Sequence, residues 1–292
     1  EATDLGNIGC AYADLKMPQE AIEYCKKAAN IFEDINNLNG QCGALGNLGR
    51  AYYELGQTDE ALKCFENQLA IASDIGDLQG KSKALINLAI YYNNLGNAGK
   101  AITYYNQALE IVSKSRVKNE EEDILESLGN IFNAQANFHQ AIDSYKQALA
   151  IARDIGNTDG EVKNLAYLAD INYQEGDYSS SIMFYETALD VVQSIGNRKE
   201  EENILGNLGN SWARLGDINK SIDFYKQAML IACEIRDKNG EGNSLFNICL
   251  MLAKLGQRDR AISLAQSALA IFEEIESPHA ETVRKTLAVW QS

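Results

Sequence analysis

The chain has 292 residues, a formal net charge of −15, 46% apolar residues and two prolines. That apolar content can fill a core and so little proline leaves helices uninterrupted, which excludes an intrinsically disordered chain. The negative field repels phosphate backbones and anionic lipid, so neither nucleic acid nor a membrane is expected as partner and basic partners are favoured.

No apolar run approaches the roughly 18 residues that cross a bilayer, and no charged-then-apolar leader opens the chain. Six cysteines (Cys10, Cys25, Cys42, Cys64, Cys233, Cys249) contain no CxxC pair and read as reduced packing residues. The expected location is cytoplasmic.

Leu5 opens a pattern that returns at Leu45, Leu85, Leu125, Leu165, Leu205 and Leu245 without insertion. Three residues on comes Ile8, Leu48, Leu88, Leu128, Leu168, Leu208 or Ile248, then a small residue (Gly9, Gly49, Ala89, Gly129, Ala169, Gly209, Cys249). A bulky position follows at Tyr12, Tyr52, Tyr92, Phe132, Trp212 and Leu252, with Asn172 in the fifth repeat. Spacings of three, four and seven place all of these on one face of a helix. Gly56, Gly96, Gly176, Gly216 and Gly256 then supply left-handed helix ends.

A second helix is expected to open at Ala21-Ile22, Ala61-Leu62, Ala101-Ile102, Ala141-Ile142, Ser181-Ile182, Ser221-Ile222 and Ala261-Ile262. It carries an aromatic such as Phe65, Tyr105, Tyr145, Tyr185 or Tyr225, and a small residue at Ala28, Ala108, Ala148, Ala188, Ala228 and Ala268. The period predicts seven repeats at about 1–39, 40–79, 80–119, 120–159, 160–199, 200–239 and 240–277. Residues 278–292 follow as a capping helix, with Ser277-Pro278 at its start and Val283, Leu287 and Trp290 on one side. Each hairpin has an apolar face it cannot bury alone, so stability must come from stacking on neighbours. Leu5, Ile8 and Tyr12 have no preceding repeat; that uncapped face predicts that the chain is part of something longer, and makes self-association the alternative reading of its role.

The order Leu-x-x-Leu-Gly-x-x-Tyr, a turn glycine, then Ala-x-x-x-Tyr-x-x-Ala resembles the tetratricopeptide repeat over essentially the whole chain. Leucine stands where the family carries tryptophan, and the proline that often ends the second helix is absent. The lengthened form is similar to repeats of kinesin light chains and Leu-Gly-Asn-type adaptors. The ending Ala-Ile-Phe-Glu-Glu-Ile-Glu-Ser-Pro-His-Ala-Glu resembles bacterial arrays that follow a signalling ATPase or protease module. The resemblance implies an all-α, right-handed superhelical α-solenoid of helix-turn-helix hairpins whose first helices line a concave groove. It also implies a protein- or peptide-binding scaffold, the sensor or adaptor region of a larger signalling protein.

Within those first helices one position reads Asn7, Asn47, Asn87, Ser127, Tyr167, Asn207 and Asn247, although asparagine is a poor helix former. A carboxamide both donates and accepts, so this ladder suits a peptide backbone held with little regard for side chains. Helices pack about 8–10 Å apart and an extended chain advances about 3.3 Å per residue, so each repeat meets every third peptide unit. Hydrogen bonding between adjacent helices is the other use of the same amides. The neighbouring position (Cys10, Arg50, Ile90, Asn130, Asp170, Asn210, Leu250) varies enough for selectivity, and Arg50 suits a carboxylate. Asp123, Glu126, Tyr167, Asp170 and Tyr173 suit a lysine or arginine, which makes an extended, partly basic peptide the expected partner; a solvated acidic face is the alternative.

His139 and His279, one in a turn region and one at the capping helix, are too far apart in repeat order for a histidine triad or zinc cluster. Gly-x-x-Gly at Gly6, Gly46 and Gly206 lacks the Gly-Lys-Ser/Thr of a phosphate loop and predicts close helix packing. The acidic runs Glu120–Asp123 and Glu200–Glu202 suit helix N-termini. No catalytic residue, metal or cofactor is expected, and an enzyme is the remote alternative.

Overall fold

The computed structural model of the chain describes residues 1–291; Ser292, the last residue of the expected capping segment, lies outside the described residues. Described residues form fifteen helices and no strand. In chain order these are α1 (Ala2–Asp14), α2 (Pro18–Asp34), α3 (Leu38–Glu54), α4 (Thr58–Ile75), α5 (Leu78–Asn94), α6 (Ala98–Ser115), α7 (Lys118–Ala134) and α8 (Phe138–Ile155). There follow α9 (Thr158–Glu175), α10 (Tyr178–Ile195), α11 (Arg198–Leu215), α12 (Ile218–Ile235), α13 (Lys238–Lys254), α14 (Arg258–Glu274) and α15 (His279–Gln291). The chain divides inside α8 into two compact units, Glu1–Ser144 and Tyr145 onward. Each is an all-α repeat solenoid in which a helix packs on its neighbours in sequence, and α3 and α11 also touch the first helix of the next hairpin, α5 and α13.

A left-handed residue recurs every 20 residues, from Lys16 and Asn36 through Gly56 and Gly76 to Gly256 and Glu276. At each, the chain leaves one helix and enters the next. Glycine fills eight of these positions without strain; Ala136, at φ 55°, has neither the freedom of glycine nor a polar side chain to offset its Cβ.

Second helices start three residues before the expected Ala-Ile pairs, at Pro18, Thr58, Ala98, Phe138, Tyr178, Ile218 and Arg258. Their first turn is mostly exposed, so apolar periodicity becomes visible only in the second turn. His139 accordingly lies in the first turn of α8 rather than in a turn. Asn37, Asn97, Asn157, Asp177, Asn197, Asp217 and Asp237 each precede a helix and accept from the backbone N–H three residues on, at 3.0–3.2 Å. Such caps satisfy one of the orphan donors at a helix start.

The small residues set how closely the two helices of a hairpin approach. A Cβ on Gly49 would lie 2.5 Å from the Phe65 ring, and one on Gly209 the same distance from Tyr225. Ala108, Ala148, Ala188 and Ala268 are fully buried on the second helices. On α15, Val283 and Leu287 are buried against the core of the last hairpin, and the Ser277 hydroxyl accepts from the His279 N–H at 3.3 Å.

The acidic run Glu200–Glu202 does more than favour a helix start. Glu201 and Glu202 are buried and neutralised by Arg198 and Lys199, which also reach Glu234 and Asp237 on and after α12. Burial nonetheless raises the Glu202 carboxyl above the usual range.

Candidate functional site

Asn207 and Asn210 on α11 and Asn247 on α13 are half-buried and converge on an open pocket of about 270 Å³. Asn203, Asn239 and Asn243 complete an amide lining, with Lys199, Glu202 and the Tyr225 ring beside them. In the first unit Asn47 and Arg50 on α3 and Asn87 on α5 share a second pocket of about 380 Å³ with Gln68, Lys83 and Glu120. The helix period explains the grouping: Asn203 and Asn243 stand four residues before Asn207 and Asn247, one turn along the same face. That spacing was the available signal for residues that sequence reasoning passed over.

The ladder also ties hairpins together. Asn87 Nδ2 donates to Gln68 Oε1 at 3.3 Å, across from α5 to α4. Asn47 lies close enough to the Cys10 thiol, Ser127 to the Tyr105 hydroxyl and Asn207 to the Tyr185 hydroxyl, each on an earlier hairpin, to favour the ionised form of that group. One such bond engages only part of a carboxamide, which has two donors and an acceptor of two lone pairs. Packing and ligand contact therefore fit on the same side chain.

Tyrosines of the second helices organise the neighbouring position. Tyr225 donates to Asn210 Oδ1 at 2.7 Å, and Tyr185 donates to Asp170 fifteen residues earlier, the same register. Burial pushes the Tyr225 hydroxyl up to about 12, raises Tyr185 further with the help of the Asp170 charge, and raises the Asp170 carboxyl. Asp170 is thus half-buried and already hydrogen-bonded. Tyr173 holds a cation of its own chain: the Arg214 guanidinium lies 6.0 Å from its ring centre and Arg214 Nε donates to its hydroxyl at 3.1 Å. Tyr167 stacks on Tyr145 at 4.8 Å.

The expected acidic and phenolic group falls in two units: Asp123 and Glu126 on α7, and Tyr167, Asp170 and Tyr173 on α9. Asn7 on α1 and Asn130 on α7 are exposed and line neither pocket described above. Gly206, expected to serve close packing, has open space where a Cβ would stand and lines the α11–α13 pocket.

The cysteines are free; Cys25, Cys42, Cys64 and Cys249 are buried, and Cys233 is exposed. Burial pushes the Cys25 and Cys64 thiols up to about 11 and Cys249 to about 12, which removes thiolate character. Among the described residues no three His, Cys, Asp or Glu side chains are grouped to hold a metal ion. No described helix is long and apolar enough to cross a membrane.

Tetratricopeptide repeat models match residues 5–35, 40–114, 120–194 and 200–274. No curated protein gives a significant match. Among solved structures the chain is similar to a signal transduction ATPase with numerous domains carrying a tetratricopeptide repeat sensor, from Pyrococcus horikoshii: TM-score 0.82, 19% identity, 98% of this chain covered. This chain spans 44% of that protein's length. It is also similar to aspartyl phosphate phosphatase F of Bacillus subtilis (TM-score 0.67, 13% identity, 98% of this chain and 78% of that one). A tetratricopeptide repeat protein from Parabacteroides merdae aligns over 100% of this chain and 99% of its own, with TM-score 0.56 and 16% identity. At these identities the likeness is one of fold.

Proposed function

The chain belongs to the tetratricopeptide repeat family, and we propose that it is a non-catalytic scaffold holding an extended segment of another protein along its first helices. The observation that carries this reading is the convergence of Asn203, Asn207, Asn210, Asn239, Asn243 and Asn247 on one open pocket. Six carboxamides offer both hydrogen-bonding senses in one space, which is the chemistry of a peptide backbone. The net charge of −15 supports a partly basic partner. The likeness to the sensor part of a longer signalling protein supports a sensor or adaptor role.

The test is selection of a displayed random-peptide library on the chain. Asn47→Ala, Asn87→Ala and Asn207→Ala together are expected to weaken the selected peptides while leaving the helical circular dichroism in place. Undiminished binding sinks the amide ladder; an empty selection sinks the scaffold reading. A second reading, self-association through α1, is favoured by Ile8 on that helix and Leu15 just after it, which are 40% and 68% exposed. Light scattering decides it, since a mass that stays constant with concentration excludes that mode.

A further inference from the structure

Six of the seven second helices carry alanine at one buried position: Ala28, Ala108, Ala148, Ala188, Ala228 and Ala268. In α4 that position is Gln68, only 3% exposed. Its side chain lies over Gly46, where a Cβ would stand 2.6 Å from Gln68 Nε2, and its Oε1 accepts from Asn87. A buried polar group at a position built for a methyl costs desolvation unless it is bonded, so its placement calls for a reason. The α3–α5 pocket it lines supplies one. Arg50 and Lys83 reach that space with no carboxylate within ion-pair distance among the described residues, and the one carboxylate in the lining, Glu120, accepts from the Ser82 hydroxyl at 3.4 Å. Two cations against one anion make this lining positive in a chain of net charge −15.

Beside it lies a hollow of about 120 Å³ that shares Arg50 and Asn87 and is otherwise lined by Tyr53, Phe65, Ile90, Tyr91 and Glu54. A cavity of roughly 150 Å³ holds a benzene ring, so this one is sized for an aliphatic side chain. We propose that the paired hollows select an acidic side chain two residues from a valine, leucine or isoleucine on the bound segment. The carboxylate takes charge-assisted bonds from Arg50 and Lys83, with Gln68 lining the same space. Same-face side chains of an extended chain stand about 7 Å apart, which suits adjoining hollows. This rests on the scaffold reading above and adds which side chains the first unit accepts.

The test runs the same library selection on the native chain and on Arg50→Ala/Lys83→Ala. Both residues are exposed, so the variant is expected to keep its circular dichroism and thermal midpoint. Peptides selected on the native chain are expected to share an Asp or Glu two positions from an aliphatic residue and to bind the variant about tenfold more weakly. Changing that acidic residue to its amide in the synthetic peptide should cause the same loss on the native chain and little further loss on the variant. Peptides without an acidic position, or equal affinity for both proteins, overturn the proposal and leave the scaffold reading standing. A loss that follows only from amidating the peptide's chain end also overturns it. If no peptide is selected at all, both readings fall together.

Discussion

Asp170 and Asn210 occupy the same repeat position and accept from the equivalent tyrosines, Tyr185 and Tyr225. They differ in charge, and that difference has a pH signature. Burial raises the folded-state pKa of Asp170, so the folded chain prefers the protonated form. A group raised in this way contributes stability that is present below its unfolded value and lost as pH rises through its folded value. Asp170→Asn, which copies the Asn210–Tyr225 pair, is therefore expected to raise the thermal midpoint at neutral pH. The gain should close as pH falls below the ordinary aspartate range of about 4. Melts across that interval check it; a gain independent of pH would mean that the charge was irrelevant. The sequence showed both residues at one position but not the tyrosine hydroxyls, since pairing across fifteen residues depends on how two helices face each other.

A single helix, α11, contains both kinds of glycine that the repeat uses. At Gly209 a Cβ would collide with the Tyr225 ring, which is 2% exposed and tethered to Asn210. Gly209→Ala is expected to destabilise the chain by about 1–3 kcal/mol, because the ring has no room to retreat. At Gly206 nothing lies within 4 Å of a Cβ, so Gly206→Ala is expected to stabilise by about 1 kcal/mol through helix propensity alone. Chemical denaturation of the two variants gives opposite signs if the packing is as described. Both glycines recur in the sequence at Gly6, Gly9, Gly46 and Gly49, and periodicity alone assigns all of them to close packing. Only the contact partner separates them.

Because helices pack on sequence neighbours, stability in each unit is a sum of hairpins and the interfaces between them. The buried residues of α1 are only Ala2 and Gly9, whereas α3 buries Cys42, Ala44, Gly46, Leu48, Gly49, Ala51 and Tyr52. Hydrogen exchange followed by mass spectrometry is thus expected to show α1 exchanging faster than α3 and α5, by local opening rather than global unfolding. Uniform protection across the three helices would mean that the first unit opens as a single block.

The repeat, the helices and most of the turns were legible in the amino-acid order, because a uniform period writes the same local chemistry again at each position. Leu5 through Leu245 mark one face, and turn glycines mark helix ends wherever they occur. That order also picked out Asn47, Asn87, Asn207 and Asn247 at one inward position and Arg50 and Asn210 at its neighbour. Tertiary structure alone decided which of them share a space, because a pocket is made by two or three helices and periodicity describes one at a time. The same holds for Gln68: its departure from alanine is plain in the sequence, but its bond to Asn87 and its place beside Arg50 and Lys83 exist only once α4 is packed between α3 and α5.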